Sequence, residues 1–166
     1  FKIAVSALAD TDRAATAFHD IGVYIVRNDA GEIGYKIMAG GGLGRTPIIG
    51  GVIKEFVARE DLIAYLEATL RVYNLHGRRD NKYKARIKIL VKALTPAVFA
   101  EMVEAEFVQI KDSLRVAPEF FAQMAAVFTP PAYQELADQD FTATFAEHKA
   151  FRNWYQHNTH AHKVSG

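Results

Sequence analysis

The stretch G-Y-K-I-M-A-G-G-G-L-G-R-T-P, Gly34 to Pro47, decides how this chain is read. Its first half is short, apolar and rich in strand formers. Three glycines and a fourth at Gly44 follow, a pattern suited to a tight turn. Thr46-Pro47 then resembles a helix start, with Thr46 as N-cap and Pro47 at the first helical position. Strand, glycine turn and helix in that order point to an α/β unit.

Working outward, Phe1–Ala7 and Ile21–Val26 join Ile33–Ala39 as short apolar segments flanked by turn formers, and all three read as strands. Asn28-Asp29-Ala30-Gly31 predicts a hairpin between the second and third. Beyond the glycines a helical pattern runs with a break near Arg59–Asp61. Leu62, Leu66, Leu70 and Tyr73 fall at helical spacing, and Gly77 is the expected stop. A third helix is expected from about Arg79, and Thr95-Pro96 opens a fourth that reaches about Phe107. From Val108 the chain is rich in Ala and Phe and punctuated by Pro118, Pro130 and Pro131, as short helices would be. The fold class is therefore α/β (α+β): a mixed β-sheet packed with helices over 1–107, then a mostly helical extension over 108–166.

Half of the 166 residues are hydrophobic and 23% are charged, ample for a packed core. The net charge of +1 leaves any electrostatic function to local clustering. With no cysteine, the chain has no disulfide, thiol nucleophile or thiolate ligand for zinc or an iron–sulfur cluster. No apolar run reaches the length of about 20 residues that spans a bilayer, and no secretory leader is visible, so a cytoplasmic protein is expected. A chain that opens on Phe1 reads as an excised or processed segment.

The densest signal is R-R-D-N-K-Y-K-A-R-I-K at 78–88. Arg71, Arg78, Arg79, Lys82, Lys84, Arg86, Lys88 and Lys92 crowd this region with one acid, Asp80. On a helix of about 100° per residue, residues 79–94 place Tyr83, Ile87, Leu90 and Leu94 on one apolar stripe. Lys84, Lys88 and Lys92 lie roughly opposite, on a solvated face. Arg79, Lys82 and Arg86 border the stripe, where they either face solvent or pair with an anionic ligand; arginine's planar fork suits carboxylate or phosphate. A basic helix can also track nucleic-acid phosphates, but the aromatics here are not interleaved with cations as a stacking platform needs.

The glycine stretch fails both nucleotide templates. G-x-G-x-x-G would need glycine at Arg45, and no G-K-[ST] follows. Backbone N–H groups at a helix start can still hold an anion, with Arg45 adding attraction. His19-Asp20 reads as a hydrogen-bonded pair ordering a loop, with a catalytic role as the alternative. His157, His160 and His162 have no acidic or Cys neighbour, look like part of a terminal loop, and give no metal set.

Five segments together resemble the sirohaem-dependent nitrite and sulfite reductases. They are F-K-I-A-V at 1–5, H-D-I-G at 19–22, G-Y-K-I-M-A-G-G-G-L-G-R-T-P at 34–47, L-E-A-T-L-R-V-Y-N at 66–74 and G-R-R-D-N-K-Y-K-A-R-I-K at 77–88. The resemblance covers roughly residues 1–107 and implies the sirohaem and 4Fe–4S domain, with 108–166 leading into a truncated second repeat. It implies Lys2 as the second lysine of a K-F-K active-site motif that binds the anionic substrate and delivers protons. It further implies Arg79, Lys82 and Arg86 as partners of sirohaem's carboxylates, with Gly40, Gly41 and Gly42 in a turn beside the cofactor; Arg45, already placed at that turn as an attraction for anions, joins them as a candidate contact. The implied chemistry is the six-electron reduction of sulfite to sulfide or nitrite to ammonia. The electron donor would be ferredoxin or a flavoprotein subunit. The cluster's cysteines are absent, so this segment is expected to be in the apo form as it stands and inactive without the remaining half of the same polypeptide. The rival is a non-enzymatic anion or nucleic-acid binding module built on the basic helix 78–88.

Overall fold

The computed structural model describes residues 1–7, 11–132 and 139–161. Four strands form one mixed sheet in chain order: β1 (Ile3–Ser6), β2 (Ile21–Arg27), β3 (Ile33–Ala39) and β4 (Gly51–Ala58). β1 runs parallel to β2, and the other two pairs are antiparallel. Six α-helices lie among the described residues: α1 (Leu62–His76), α2 (Ile87–Leu94), α3 (Pro96–Leu114), α4 (Pro118–Val127), α5 (Thr142–Glu147) and α6 (Lys149–Asn158). The α/β class with a mixed sheet is as expected.

The expected hairpin forms where the sequence put it. Asn28 N–H donates to the Glu32 carbonyl at 3.1 Å, and Gly31 N–H donates to Asn28 at 2.9 Å. Gly31 has φ +80°, a conformation that costs glycine nothing. In β2 and β3 the buried hydrophobic side chains of Ile21, Val23, Ile37 and Ala39 fall at alternate positions, so one sheet face carries the core. That core also holds Ile53 and Val57 of β4, Tyr65, Ala68 and Val72 of α1, and Phe99 and Val103 of α3. Leu62, Leu66, Leu70 and Tyr73 pack half-buried at its margin. Gly77 ends α1, its N–H donating to the Tyr73 carbonyl at 2.8 Å.

One expected helix is absent and another starts late. Thr46-Pro47 does not start a helix; the chain crosses an isolated bridge between Gly42 and Ile48 and enters β4. The β-branched run in G-V-I-K-E-F-V-A outweighs the capping signal, because β3 offers it an edge to pair with. Residues 79–86 are also not helical, and α2 begins at Ile87. Asn81 takes over that segment, its side chain accepting from Tyr83 N–H at 3.0 Å and its carbonyl from Lys84 N–H at 2.9 Å. Tyr83, expected on the apolar stripe, is 83% exposed.

Thr95 opens α3 as expected, with Oγ1 accepting from Val98 N–H at 3.4 Å. The helix runs through 107/108 to Leu114 and buries Ile110. Residues Phe1–Gln123 form one compact unit, and a second begins at Met124. In that second unit Phe141 and Phe145 pack on Tyr155, with ring centroids 5.4 and 5.3 Å apart. His157 and Asn158 belong to α6 rather than to a terminal loop. His162 and Lys163 lie outside the described residues. No helix among the described residues is long and apolar enough to cross a membrane.

Candidate anion-binding site

Two adjoining hollows lie where β1, the glycine turn and the start of α2 meet. One, of about 370 Å³, is lined by Lys2, His19, Asp20, Leu43 and Arg86, among others. The other, of about 670 Å³, is lined by Leu43, Arg45, Thr46, Tyr83, Lys84, Arg86, Lys88 and Ile89. Leu43 and Arg86 face both. Four cations and no acid line the larger hollow, so its potential favours a ligand with several negative charges.

Arg86 is the ridge between the hollows, and its partner fixes it. One guanidinium nitrogen donates to Asp20 Oδ1 at 2.7 Å, while the arginine side chain stays 39% exposed and its partner only 8%. Asp20 also accepts from the Lys2 backbone N–H at 3.0 Å. His19 does not complete an Asp20 pair as expected; its Nε2 meets the Ala14 carbonyl at 3.1 Å. The pair fails because Asp20 turns inward to donors from β1 and the start of α2.

The glycines are demanded by the chain's own packing. A Cβ on Gly41 would stand 2.4 Å from the Ala17 carbonyl oxygen and 2.5 Å from that of His19. One on Gly40, at φ +85°, would meet Val91 at 2.8 Å, and one on Gly42 would meet Lys88 Cδ at 2.9 Å and Arg86 Nη2 at 3.0 Å. Gly42 thus lies under two of the four cations that line the larger hollow. No helix N-terminus follows these glycines, so the anion-binding mode expected of such a terminus is absent here.

Lys88 was expected on a solvated face and is instead buried, at 7% exposure. Its Nζ donates to the Thr46 carbonyl at 2.8 Å and the Leu43 carbonyl at 3.2 Å, tying α2 to the loop beyond Gly42. A helix beginning at Arg79 would carry Tyr83 on its apolar stripe and turn that stripe away from Val91. With α2 starting at Ile87, the buried arc is Ile87, Lys88 and Val91.

The structure therefore brings Lys2, Arg45 and Arg86 to these hollows, with Gly42 beneath. Arg79 and Lys82 line neither. Arg79 lies 4.8 Å over the Tyr73 ring and donates to the Arg78 carbonyl at 3.0 Å. Lys82 sits 5.1 Å over the Tyr83 ring. Arg78 pairs with Asp80, holding that carboxyl below the usual range. Sequence reasoning missed Asp20 as an anchor, and Lys84 and Lys88 as cleft residues. The one available signal was the break in helix propensity at Asp80-Asn81, which would have released Tyr83 from the wheel.

These features define an α/β domain presenting a cation-rimmed cleft of cofactor size. The chain belongs to the nitrite and sulphite reductase 4Fe-4S domain family, whose profile matches residues 1–111. It is 32% identical over 127 residues to a sulfite reductase [ferredoxin] of Synechococcus elongatus, covering 72% of this chain and 20% of that protein. It is 31% identical over 98 residues to the sulfite reductase [NADPH] hemoprotein beta-component of Shewanella loihica, covering 55% and 17%. The solved structure of the Mycobacterium tuberculosis NirA protein superposes with a TM-score of 0.57 at 26% identity, over 63% of this chain and 19% of that one. The chain spans about a fifth of the length of these relatives.

The residues present do not fit a 4Fe–4S cluster. There is no thiolate in the chain, and no group of three or more metal-ligating side chains gathers among the described residues. They do fit the carboxylate edge of a tetrapyrrole such as sirohaem, because Arg45, Lys84 and Arg86 line one hollow without an opposing acid, while Lys88 beside them is committed to backbone carbonyls.

Proposed function

We propose that this chain is one part of an assimilatory sirohaem reductase acting on sulfite or nitrite, and that it supplies cationic contacts to the cofactor's carboxylates and to the substrate. The observation that carries this is the shared ridge: Arg86 faces both the four-cation hollow and the hollow containing Lys2. Arg45, Lys84 and Arg86 are the residues that would hold the carboxylates, each through charge-assisted N–H···O⁻ bonds. Arg79 and Lys82 stand apart in this chain and serve the carboxylates only if the 78–86 turn closes over the ligand. Gly40, Gly41 and Gly42 bring the turn close to that ligand.

Lys2 is exposed at the rim of the smaller hollow. There its ammonium can hold a substrate oxyanion and give a proton to an oxygen departing as water. Sirohaem, when bound, supplies the electrons for the six-electron reduction. The cluster that feeds it belongs to residues this chain lacks, so the 166-residue chain is inactive by itself. The donor to the whole enzyme is ferredoxin or a flavoprotein subunit.

Titration of the chain with sirohaem, followed by the Soret band, tests this. Binding that weakens as salt is raised, and weakens again in Arg45→Gln and Arg86→Gln, is expected. Failure to bind, or binding indifferent to both substitutions, overturns the proposal.

A further inference from the structure

We infer that Asp20 is the positioning residue that places Lys2 and Arg86 on one cleft; the inference rests on the anion-site proposal above. Asp20 sits immediately before β2 and is only 6% exposed. It is tied to three segments far apart in the chain. Oδ2 accepts from Lys2 N–H at 3.0 Å, Oδ1 accepts from Arg86 Nη2 at 2.7 Å, and its carbonyl accepts from Gly40 N–H at 3.0 Å.

A carboxylate suits this place because both of its side-chain partners are donors, and an ionised carboxylate only accepts. Each oxygen takes one donor, so neither contact competes with the other. Lys2 is held from both sides, since its carbonyl accepts from Ile21 N–H at 3.2 Å. Its side chain therefore leaves from a fixed backbone toward the smaller hollow. Arg86 commits one Nη2 bond to Asp20, and its other N–H groups remain for a ligand.

Electrostatics alone predicts the opposite consequence. Asp20 is a negative charge lining an anion cleft, so removing it should tighten anion binding. A positioning role predicts weaker binding, because the two cations lose their common anchor. Asp20→Asn separates these. Asparagine keeps the shape but offers one acceptor oxygen, and its NH₂ group faces a donor.

The test is the sirohaem titration of the 166-residue chain, repeated with D20N, R86Q and the double variant. Affinity in D20N is expected to fall about tenfold, a typical loss for one coupled contact. The fall should be much smaller when D20N is added to R86Q. Equal or tighter binding by D20N, or full additivity with R86Q, overturns the inference while leaving the anion-site proposal standing. Absence of binding by the wild-type chain overturns that proposal instead.

Hydrogen exchange in the unliganded wild-type chain gives a reading that depends on neither ligand nor variant. The Lys2 amide proton, held by Asp20 Oδ2, should exchange at least tenfold more slowly than the exposed Arg45 amide. Exchange as fast as Arg45 overturns the positioning role, even if D20N does not fold.

Discussion

Replacing Lys88 by Met isolates what a buried ammonium contributes to this fold. Methionine keeps most of the apolar stem that lies against Gly42 and removes the two bonds from Nζ to the Thr46 and Leu43 carbonyls. A hydrogen bond to a charged group is worth about 1.5–3 kcal/mol, so the pair sets an upper limit of roughly twice that. Two effects reduce it. Leu43 and Thr46 are exposed, so water can satisfy their freed carbonyls. The variant also escapes the cost of desolvating an ammonium. The expected net loss is about 1–2 kcal/mol. For a chain of this size that lowers Tm by roughly 2–8 °C. Urea unfolding followed by circular dichroism measures the loss directly. Amide exchange locates it, because Gly42 and Ile48 donate to each other's carbonyls at 2.9 Å across the neck of the loop that Lys88 ties down. Their protection should fall by more than the global stability does. A K88M chain as stable as wild type, with Gly42 and Ile48 equally protected, would refute the latch.

Gly41→Ala should destabilise by about 1–3 kcal/mol, since its Cβ meets backbone oxygens that cannot rotate away. Thermal unfolding checks this, and an unchanged Tm would mean that the turn beside Ala17 and His19 yields freely. Asp12 governs an acid limb. Partial desolvation raises its pKa, but hydrogen bonds from Tyr24, Thr16 and Ala14 prevail and hold the carboxyl below its ordinary value. A depressed folded pKa contributes stability that is complete above the unfolded value of about 3.9 and is lost as pH falls through the folded value. Asp12→Asn should therefore flatten the decline of Tm below about pH 4; an acid limb identical to wild type would remove Asp12 from the account.

Local signals read well wherever the deciding contacts were local. The hairpin at Asn28–Gly31, the stop at Gly77 and the cap at Thr95 each depend on neighbours within a few residues, and each appears as expected. β4 was illegible because Thr46-Pro47 imitates a helix start, and only the free edge of β3 decides against it. Lys88 was illegible for a related reason. Its carbonyl partners lie more than 40 residues away, on a loop that no periodicity describes. Asp20 and Arg86 are separated by 66 residues, so their pairing has no sequence signature at all. The family resemblance supplied Lys2, and the basic run together with that resemblance supplied Arg86, but neither supplied the carboxylate that joins them.

The bridge between Gly42 and Ile48 has a consequence for how this cleft can change. It closes the excursion between β3 and β4 at its base, so residues 43–47 hang from a neck whose hydrogen bonds do not involve them. Strand register is set below the neck, at pairs such as Ala39 with Gly51. Lengthening a short loop costs little, about 0.6 kcal/mol per doubling. The rim that carries Leu43 and Arg45 can thus change in length or charge without shifting the sheet beneath it, and such a change is felt in the Lys88 bonds and in the cleft rather than in strand alignment.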